Sequence, residues 1–433
     1  MTGPRIELIP GKAAVCSDAS IALDVLVRIA SPPPDVHFPR PPLNLALVLD
    51  RSGSMAGAKK MPYAVEAASF AVRQLLPTDR VSVTSFDDRV ETIAPSTLAV
   101  DKPAIVRRIE AIEPRGSTDL HGGWAEGVRQ AESRLVPGGL NRVLLLSDGL
   151  ANVGVTDPNA IAAHVREAGA RGVGTTTLGV GDDYNEDLME AMARAGDGNY
   201  YYIESPVQLV DLFQTELEGL MATLGQKASL ALEPAAGAIV SDVLNDFTKA
   251  PAGRWLLPNL IVGMPIQVVV RLVVPPRQDR PDAADVPLLA VHLAWDDPRE
   301  PGPRALGARL GPLPALPLAD WSARPIAPEV AEHVALLMVA RSQKEASRAH
   351  ERGDYAGTMS ALGAARAATF AAPMSATISD ELAAIDKIEA AVRDGNDSHA
   401  RKFAKFRSYL RHAGRTKPPP PPTDAEPGEG KSG

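Results

Sequence analysis

The stretch Leu43 to Met55, LNLALVLDRSGSM, constrains this chain more than any other. An almost unbroken apolar run ending abruptly in Asp50, Ser52 and Ser54 predicts a strand buried on both faces, as in a parallel sheet, that delivers oxygen-bearing side chains to its carboxyl end. Asp-x-Ser-x-Ser in that place reads as half of a metal site, because a turn after the strand aims alternate side chains at one point. Gly53 relieves the crowding between the two serines. A second short apolar strand, Val143 to Leu146, ends in Ser147-Asp148-Gly149, and a loop between them, EPRGSTDLHGG, carries Thr118.

Around these loops strands and helices alternate. The periodicity predicts a helix from Lys59 to Leu76, a strand from Arg80 to Phe86, and a short edge strand near Val90 to Ile93. Helices follow at Asp101 to Ile112, with Asp101 as N-cap and Pro103 in its first turn, and at about His121 to Leu135. Helices at 158–170, 185–195 and 206–224 alternate with strands at 173–180 and 199–203. Repeated βα units of this length imply an α/β, mostly parallel sheet with helices on both faces, and ligands outside the carboxyl ends of its strands.

Before and after this unit the pattern differs. Residues 21 to 29, IALDVLVRI, alternate at period two, and short strand-like segments recur from about Gln226. They predict a small antiparallel, β-sandwich-like domain over 226–297, joined by strands from residues 1–30, with the α/β domain at 43–225 inserted between. The proline-rich segment 31–42 is one crossing. After a Pro/Gly-rich connection at 298–325, residues 327–413 read as helical and 414–433 as a disordered proline-rich tail.

Composition narrows the function. The chain has 433 residues with 45% apolar content, room for two or three cores. Only 4% of residues are aromatic and the net charge is −8, which argues against nucleic acid as a partner. Cys16 is the only cysteine, so no internal disulfide or thiolate cluster forms and a reducing compartment fits. The N-terminal residues lack an apolar signal core, and Trp255 to Val270 is too short and broken to span a bilayer. These features predict a cytoplasmic protein without a membrane anchor.

Pooled, the strand ends offer Asp50, Ser52, Ser54, Thr118 and Asp148, all hard oxygen donors, which suits Mg2+ first, with Mn2+ or Ca2+ as alternatives, rather than zinc. Turn capping by Ser and Asp is the competing structural explanation. An enzymatic alternative, a metal-dependent hydrolase or phosphoryl-transfer enzyme, would use the same site with His121 as the nearest base. Ser52 stands where a phosphoaspartyl chemistry wants a second acid, and neither a Walker A loop nor a serine-hydrolase elbow is present. The run Arg401, Lys402, Lys405, Arg407, Arg411 and Arg415, interleaved with Phe403, Phe406, Tyr409 and Leu410, reads as a helix packed by its aromatic side with a solvated basic face.

The segments LVLDRSGSM, GSTDL and LLLSDGLAN resemble the three loops of the metal-ion-dependent adhesion site of the von Willebrand factor type A domain, in the family's order and spacing over about residues 43 to 225. The resemblance implies a Rossmann-like fold with a six-stranded central sheet. It implies a divalent cation at Asp50, Ser52, Ser54, Thr118 and Asp148, the hydroxyls binding directly and the aspartates largely through water. It further implies a non-enzymatic module that binds an acidic residue of a protein partner through the cation. Similar bacterial cytosolic proteins often occur beside ATPases, kinases or phosphatases.

Overall fold

In a computed structural model of the chain, the described residues are 3–32, 40–181, 183–278, 286–300 and 302–414. Most of the crossing at 31–42 and nearly all of the tail, including Arg415, lie outside them. The chain opens with β1 (Arg5–Pro10), β2 (Val15–Cys16) and β3 (Ile21–Ala30). The alternating region follows: β4 (Leu43–Asp50), α1 (Lys60–Gln74), β5 (Arg80–Phe86), β6 (Val90–Leu98), α2 (Lys102–Glu110), α3 (Leu120–Glu132), β7 (Leu140–Ser147), α4 (Pro158–Ala170), β8 (Val173–Val180), α5 (Glu186–Ala195), β9 (Tyr200–Ile203) and α6 (Leu209–Met221).

These six strands form one sheet in the order β6-β5-β4-β7-β8-β9, parallel except for the edge strand β6. All eight residues of β4 are buried, as its apolar run requires, because helices cover both faces. One core lies between the sheet and α1, α2 and α6, the other between the sheet and α3, α4 and α5. Asp101 caps α2, its carboxylate accepting from the Ala104 N–H at 3.1 Å. β6 is longer than the short edge strand read near 90–93 and carries register shifts against β5, so its alternation is broken.

Eight more strands and the helices α7 to α11 complete the described residues, and β1 to β3 pair with strands of this later set. β10 (Thr223–Pro234), β11 (Ile239–Val243), β12 (Trp255–Leu256), β13 (Leu260–Ile261), β14 (Ile266–Val274), β15 (Leu289–Asp296), β16 (Pro303–Leu310) and β17 (Ala315–Leu316) precede α7 (Leu318–Ala323), α8 (Pro328–Glu351), α9 (Tyr355–Thr369), α10 (Ala376–Arg393) and α11 (Asp397–His412). Two antiparallel sheets, β1-β3-β14-β11 and β12-β10-β15-β16, share one apolar core. β3 pairs with β14 over nine residues, from Ile266 opposite Ile29 to Val274 opposite Ile21, so strands on either side of the parallel sheet in sequence meet in space.

β16 is a correction. Residues 303–310 fall in the segment read as a connection, yet they pair with β15 along its whole length. Only Leu310 of the strand is buried, so an edge strand with this exposure shows no apolar alternation.

The basic face of α11 is a second correction: it is not solvated. Lys402 is fully buried and Arg411 nearly so. Lys402 donates to Glu186 at 2.7 Å, and Arg401 and Lys405 pair with Glu186 and Asp187, all in the first turn of α5. Arg407 and Arg411 both reach Glu381 of α10 at 2.7 Å. Burial alone would raise the Glu186 pKa, but the Lys402 ammonium holds it below the ordinary carboxylate range. The aromatic side packs as read: Tyr409 and Phe406 meet Tyr200 edge to face, and all three of Tyr200, Tyr201 and Tyr202 are buried.

His412 ends this helix beside β11. Its Nδ1 accepts from the Asp246 N–H at 3.1 Å, which leaves the ring proton on Nε2. Burial pushes its pKa down to about 3; Asp246 opposes the shift while Arg194, Lys344 and Arg341 reinforce it. The unfolded chain takes up this proton below about pH 6.5 and the folded chain does not. The stabilisation is therefore complete above that pH and is lost as pH falls, at up to about 1.4 kcal/mol per unit. In denaturant titrations, His412→Gln is expected to flatten the acid limb between about pH 6 and 4. An unchanged limb would remove His412 as its source.

Candidate metal centre

All five residues singled out by sequence lie at the carboxyl end of the parallel sheet. Asp50 closes β4 and Asp148 follows β7, the neighbouring strand, and both are fully buried. Between them the chain forms a tight 3-10 turn over Gly53–Lys59 that presents Ser54. Arg51 points away from this group: its Nε donates to the buried Asp87 at 3.0 Å, a carboxylate shared with Arg115. The Arg51 N–H bonds to the Phe86 carbonyl and the Gly53 N–H to the Gly116 carbonyl, which ties the Ser-bearing turn to the Thr118 loop. Asn152 closes that loop, its side chain accepting from the Thr118 N–H at 3.0 Å.

The oxygen atoms converge. Ser52 Oγ lies 3.0 Å from Ser54 Oγ, and Ser54 Oγ donates to Asp148 Oδ1 at 2.6 Å. A Cβ built on Gly149 would stand 3.0 Å from Thr118 Oγ1, 3.7 Å from Asp50 Oδ2 and 3.7 Å from Ser54 Oγ. Glycine at 149 thus keeps open, on a third loop, a space ringed by one carboxylate and two hydroxyls drawn from two others. Asp50 is held in place by the Ser52 N–H at 2.7 Å and by the Ser147 hydroxyl. Burial pushes its pKa up to about 6, against these hydrogen bonds, and the neighbouring Asp148 adds to the rise.

Two buried carboxylates in contact with three hydroxyls form a donor set that a hard divalent cation fits, with oxygen ligands and a charge that relieves the repulsion between the aspartates. Among the described residues no cluster of three or more His, Cys, Asp or Glu side chains could hold a metal, so hydroxyl oxygens must complete any coordination here.

Sequence reasoning missed Lys60, which sits in the first turn of α1. Its Nζ donates to Asp148 Oδ2 at 2.6 Å, placing a positive charge on the cradle. The turn that directs it is strained: Ala58 (φ 49°) and Lys59 (φ 57°) both adopt the left-handed conformation, which costs a non-glycine residue about 1–2 kcal/mol. Ser147 was also missed; a hydroxyl one residue before Asp148, at the end of a buried strand, was the available signal. His121 is engaged elsewhere, its Nε2 3.0 Å from His164 Nδ1 and its ring tilted against Trp124.

A family model described as the von Willebrand factor type A domain matches residues 44–215, the span that carries this sheet and all three loops. These residues form a von Willebrand factor type A domain. The uncharacterized protein YfbK of Escherichia coli is 31% identical over 198 residues, 45% of this chain and 34% of that one. Human inter-alpha-trypsin inhibitor heavy chain H4 is 28% identical over 195 residues, 42% of this chain and 21% of the relative. The matches therefore span well under half the length of these relatives. Among solved structures, a von Willebrand factor type A protein from Catenulispora acidiphila superposes with a TM-score of 0.66 at 15% identity, covering 96% of this chain and 98% of that one. The ArnB paralog VWA2 from Sulfolobus acidocaldarius gives 0.60 at 17% identity over 95% and 99%. The likeness extends beyond the type A domain to the antiparallel sheets and the C-terminal helices, and at these identities it is a likeness of fold alone.

Among the described residues no helix is long and apolar enough to cross a membrane.

Proposed function

We propose that the type A domain is a protein-binding module whose cradle holds a divalent cation, Mg2+ first, and presents it to an acidic side chain of a protein partner. The observation that carries this reading is the convergence of Thr118 Oγ1, Asp50 Oδ2 and Ser54 Oγ on the space kept open by Gly149, with Asp148 bonded to Ser54. In this reading Ser52, Ser54 and Thr118 hold the cation directly, and Asp50 and Asp148 hold it largely through water. A cation held mainly by neutral oxygens supplies an under-neutralised position that attracts a carboxylate.

The chain's own residues make the presentation rigid. Asp50 is fixed by Ser52 and Ser147, Arg51 locks the turn to Asp87, and Asn152 fixes the backbone that carries Thr118. Ser54 is the exposed member of the set and, with the exposed Leu150 and Val155 of the loop after Asp148, forms the rim that a partner would meet. We read the module as non-enzymatic, since His121, the nearest base in sequence, is taken up by His164 and Trp124. We place it in the cytoplasm, where its single cysteine fits a reducing compartment, and, by family association, in the company of an ATPase, kinase or phosphatase system.

Affinity capture with the full chain as bait tests this. Specific proteins should be retained in Mg2+ and lost in EDTA, and the Asp148→Ala bait should retain none of them. A set of bound proteins indifferent to both EDTA and Asp148→Ala would contradict the proposal.

A further inference from the structure

At the end of the parallel sheet opposite Asp50 and Asp148 lies a cleft of about 460 Å3, within the size range of small-molecule sites. All three parts of the chain build its walls. The starts of β7 and β8 and the ends of α4 and α5 form one side, the first residues of β10 and the Leu256–Pro258 segment another, and the end of α11 a third. Such junctions are favoured places for ligand sites. None of the five cradle residues lines it.

Three independent features give the cleft a chemical character. The first is charge. Arg194 pairs with Glu190 at 2.7 Å and with Asp246 at 3.3 Å, and Asp246 also takes Lys344, so that group of two cations and two carboxylates is internally balanced. Arg142, Arg166 and Lys227 remain on the wall against a single further carboxylate, Asp197. Lys227 approaches Asp296 only at 3.8 Å, with both side chains more than half exposed, a pairing worth little.

The second is unused hydrogen-bonding capacity. Arg142 is 4% exposed and His412 2%, yet Arg142 Nε and His412 Nε2 find no acceptor. Of the rest of the Arg142 guanidinium, Nη1 donates to the backbone carbonyls of Gly196 and Asp197 and Nη2 to the Asn259 side-chain oxygen. Enclosed donors left unpaired are costly.

The third is backbone strain. Five non-glycine residues among those described adopt the left-handed conformation; two precede Lys60 at the cradle and two more, Asp197 and Lys227, stand on this cleft. Strain of this kind collects at binding sites, where the surrounding structure holds it in place. Much of the rest of the wall is apolar and includes Leu256, 47% exposed although it is a large aliphatic side chain.

We propose that this cleft binds a small organic anion with an apolar body, the acid group drawn by the excess of basic side chains and the body resting on Leu256, Leu257 and Pro258. The apolar wall separates this class from inorganic phosphate, which has no body to bury, and the basic excess separates it from neutral hydrocarbons.

Fluorescence titration of the full chain with 8-anilinonaphthalene-1-sulfonate tests the proposal, with neutral N-phenyl-1-naphthylamine and inorganic phosphate as comparisons. The sulfonate should bind saturably at one site, the neutral amine about tenfold or more weaker, and phosphate should not displace the sulfonate. Arg166→Glu reverses an exposed charge on α4, and Ala170→Trp fills the cleft from its exposed rim. Each should weaken the sulfonate about tenfold or more with the thermal midpoint unchanged, while Asp50→Ala should leave it unaltered. Absence of saturable binding, equal affinity for the neutral amine, or unchanged affinity in both cleft variants would overturn the proposal.

Discussion

Glu381→Ala is expected to destabilise the docked C-terminal helix by about 3–5 kcal/mol, the largest single-residue effect on stability anticipated here. Glu381 is fully buried on α10, and one of its oxygens, Oε1, accepts from both Arg407 and Arg411 of α11 at 2.7 Å. Removing the carboxylate leaves two guanidinium groups close together with little water to replace their partner, side chains only 14% and 7% exposed. The loss should appear first as local opening. α11 packs on β9 and α8, so hydrogen exchange at 397–412 should accelerate before the parallel sheet does. Glu381→Gln, which keeps an acceptor oxygen, should recover part of the loss. A denaturant midpoint within error of wild type for Glu381→Ala would show that Arg407 and Arg411 find other partners and that this ion cluster does not hold the helix.

Lys60→Met is expected to act in the opposite sense on the cradle, tightening Mn2+ about tenfold or more while making the metal-free protein less stable. The Lys60 ammonium is 2.6 Å from Asp148 Oδ2 and only 12% exposed, so it neutralises one of the two buried aspartates when no cation does. Two unit charges about 4 Å apart at a partly buried site interact by roughly 4 kcal/mol, an upper bound for the penalty a cation would meet, because the lysine stem can retreat. The strained turn at Ala58 and Lys59 that carries Lys60 inward would relax as it withdrew. Calorimetric Mn2+ titration, with thermal melts in EDTA, reads both effects. Weaker binding by Lys60→Met would make Lys60 a support of the cradle rather than its rival.

How much of this was legible beforehand depends on whether the deciding interaction is local. The buried strand at 43–50, the helix at 158–170 and the strand at 173–180 fall where periodicity puts them, because apolar pattern and turn residues in the same few positions decide them. The meeting of Asp50, Ser52, Ser54 and Asp148 was legible for a related reason: neighbouring parallel strands bring their carboxyl ends to one edge whatever lies between, whereas Thr118 stands between α2 and α3, where that rule does not place it. β16 was missed because an edge strand that buries one residue carries almost no pattern. The basic face of α11 was misread because its partners, Glu186 and Glu381, lie about 215 and 20–30 residues away in the chain, and composition does not say that a charge will be met. Lys60 was missed likewise; its side chain turns back to Asp148, 88 residues on, through a backbone conformation that alanine and lysine rarely adopt.

The most direct test is isothermal titration of Mg2+ into the wild-type chain and into Asp50→Ala, with Asp50→Asn as a second variant that preserves side-chain volume. The account predicts one saturable site in the wild type, at least about a hundredfold weaker binding in both variants, and little change in their thermal midpoints. Equal binding by wild type and both variants, or no binding by any of them, would contradict it.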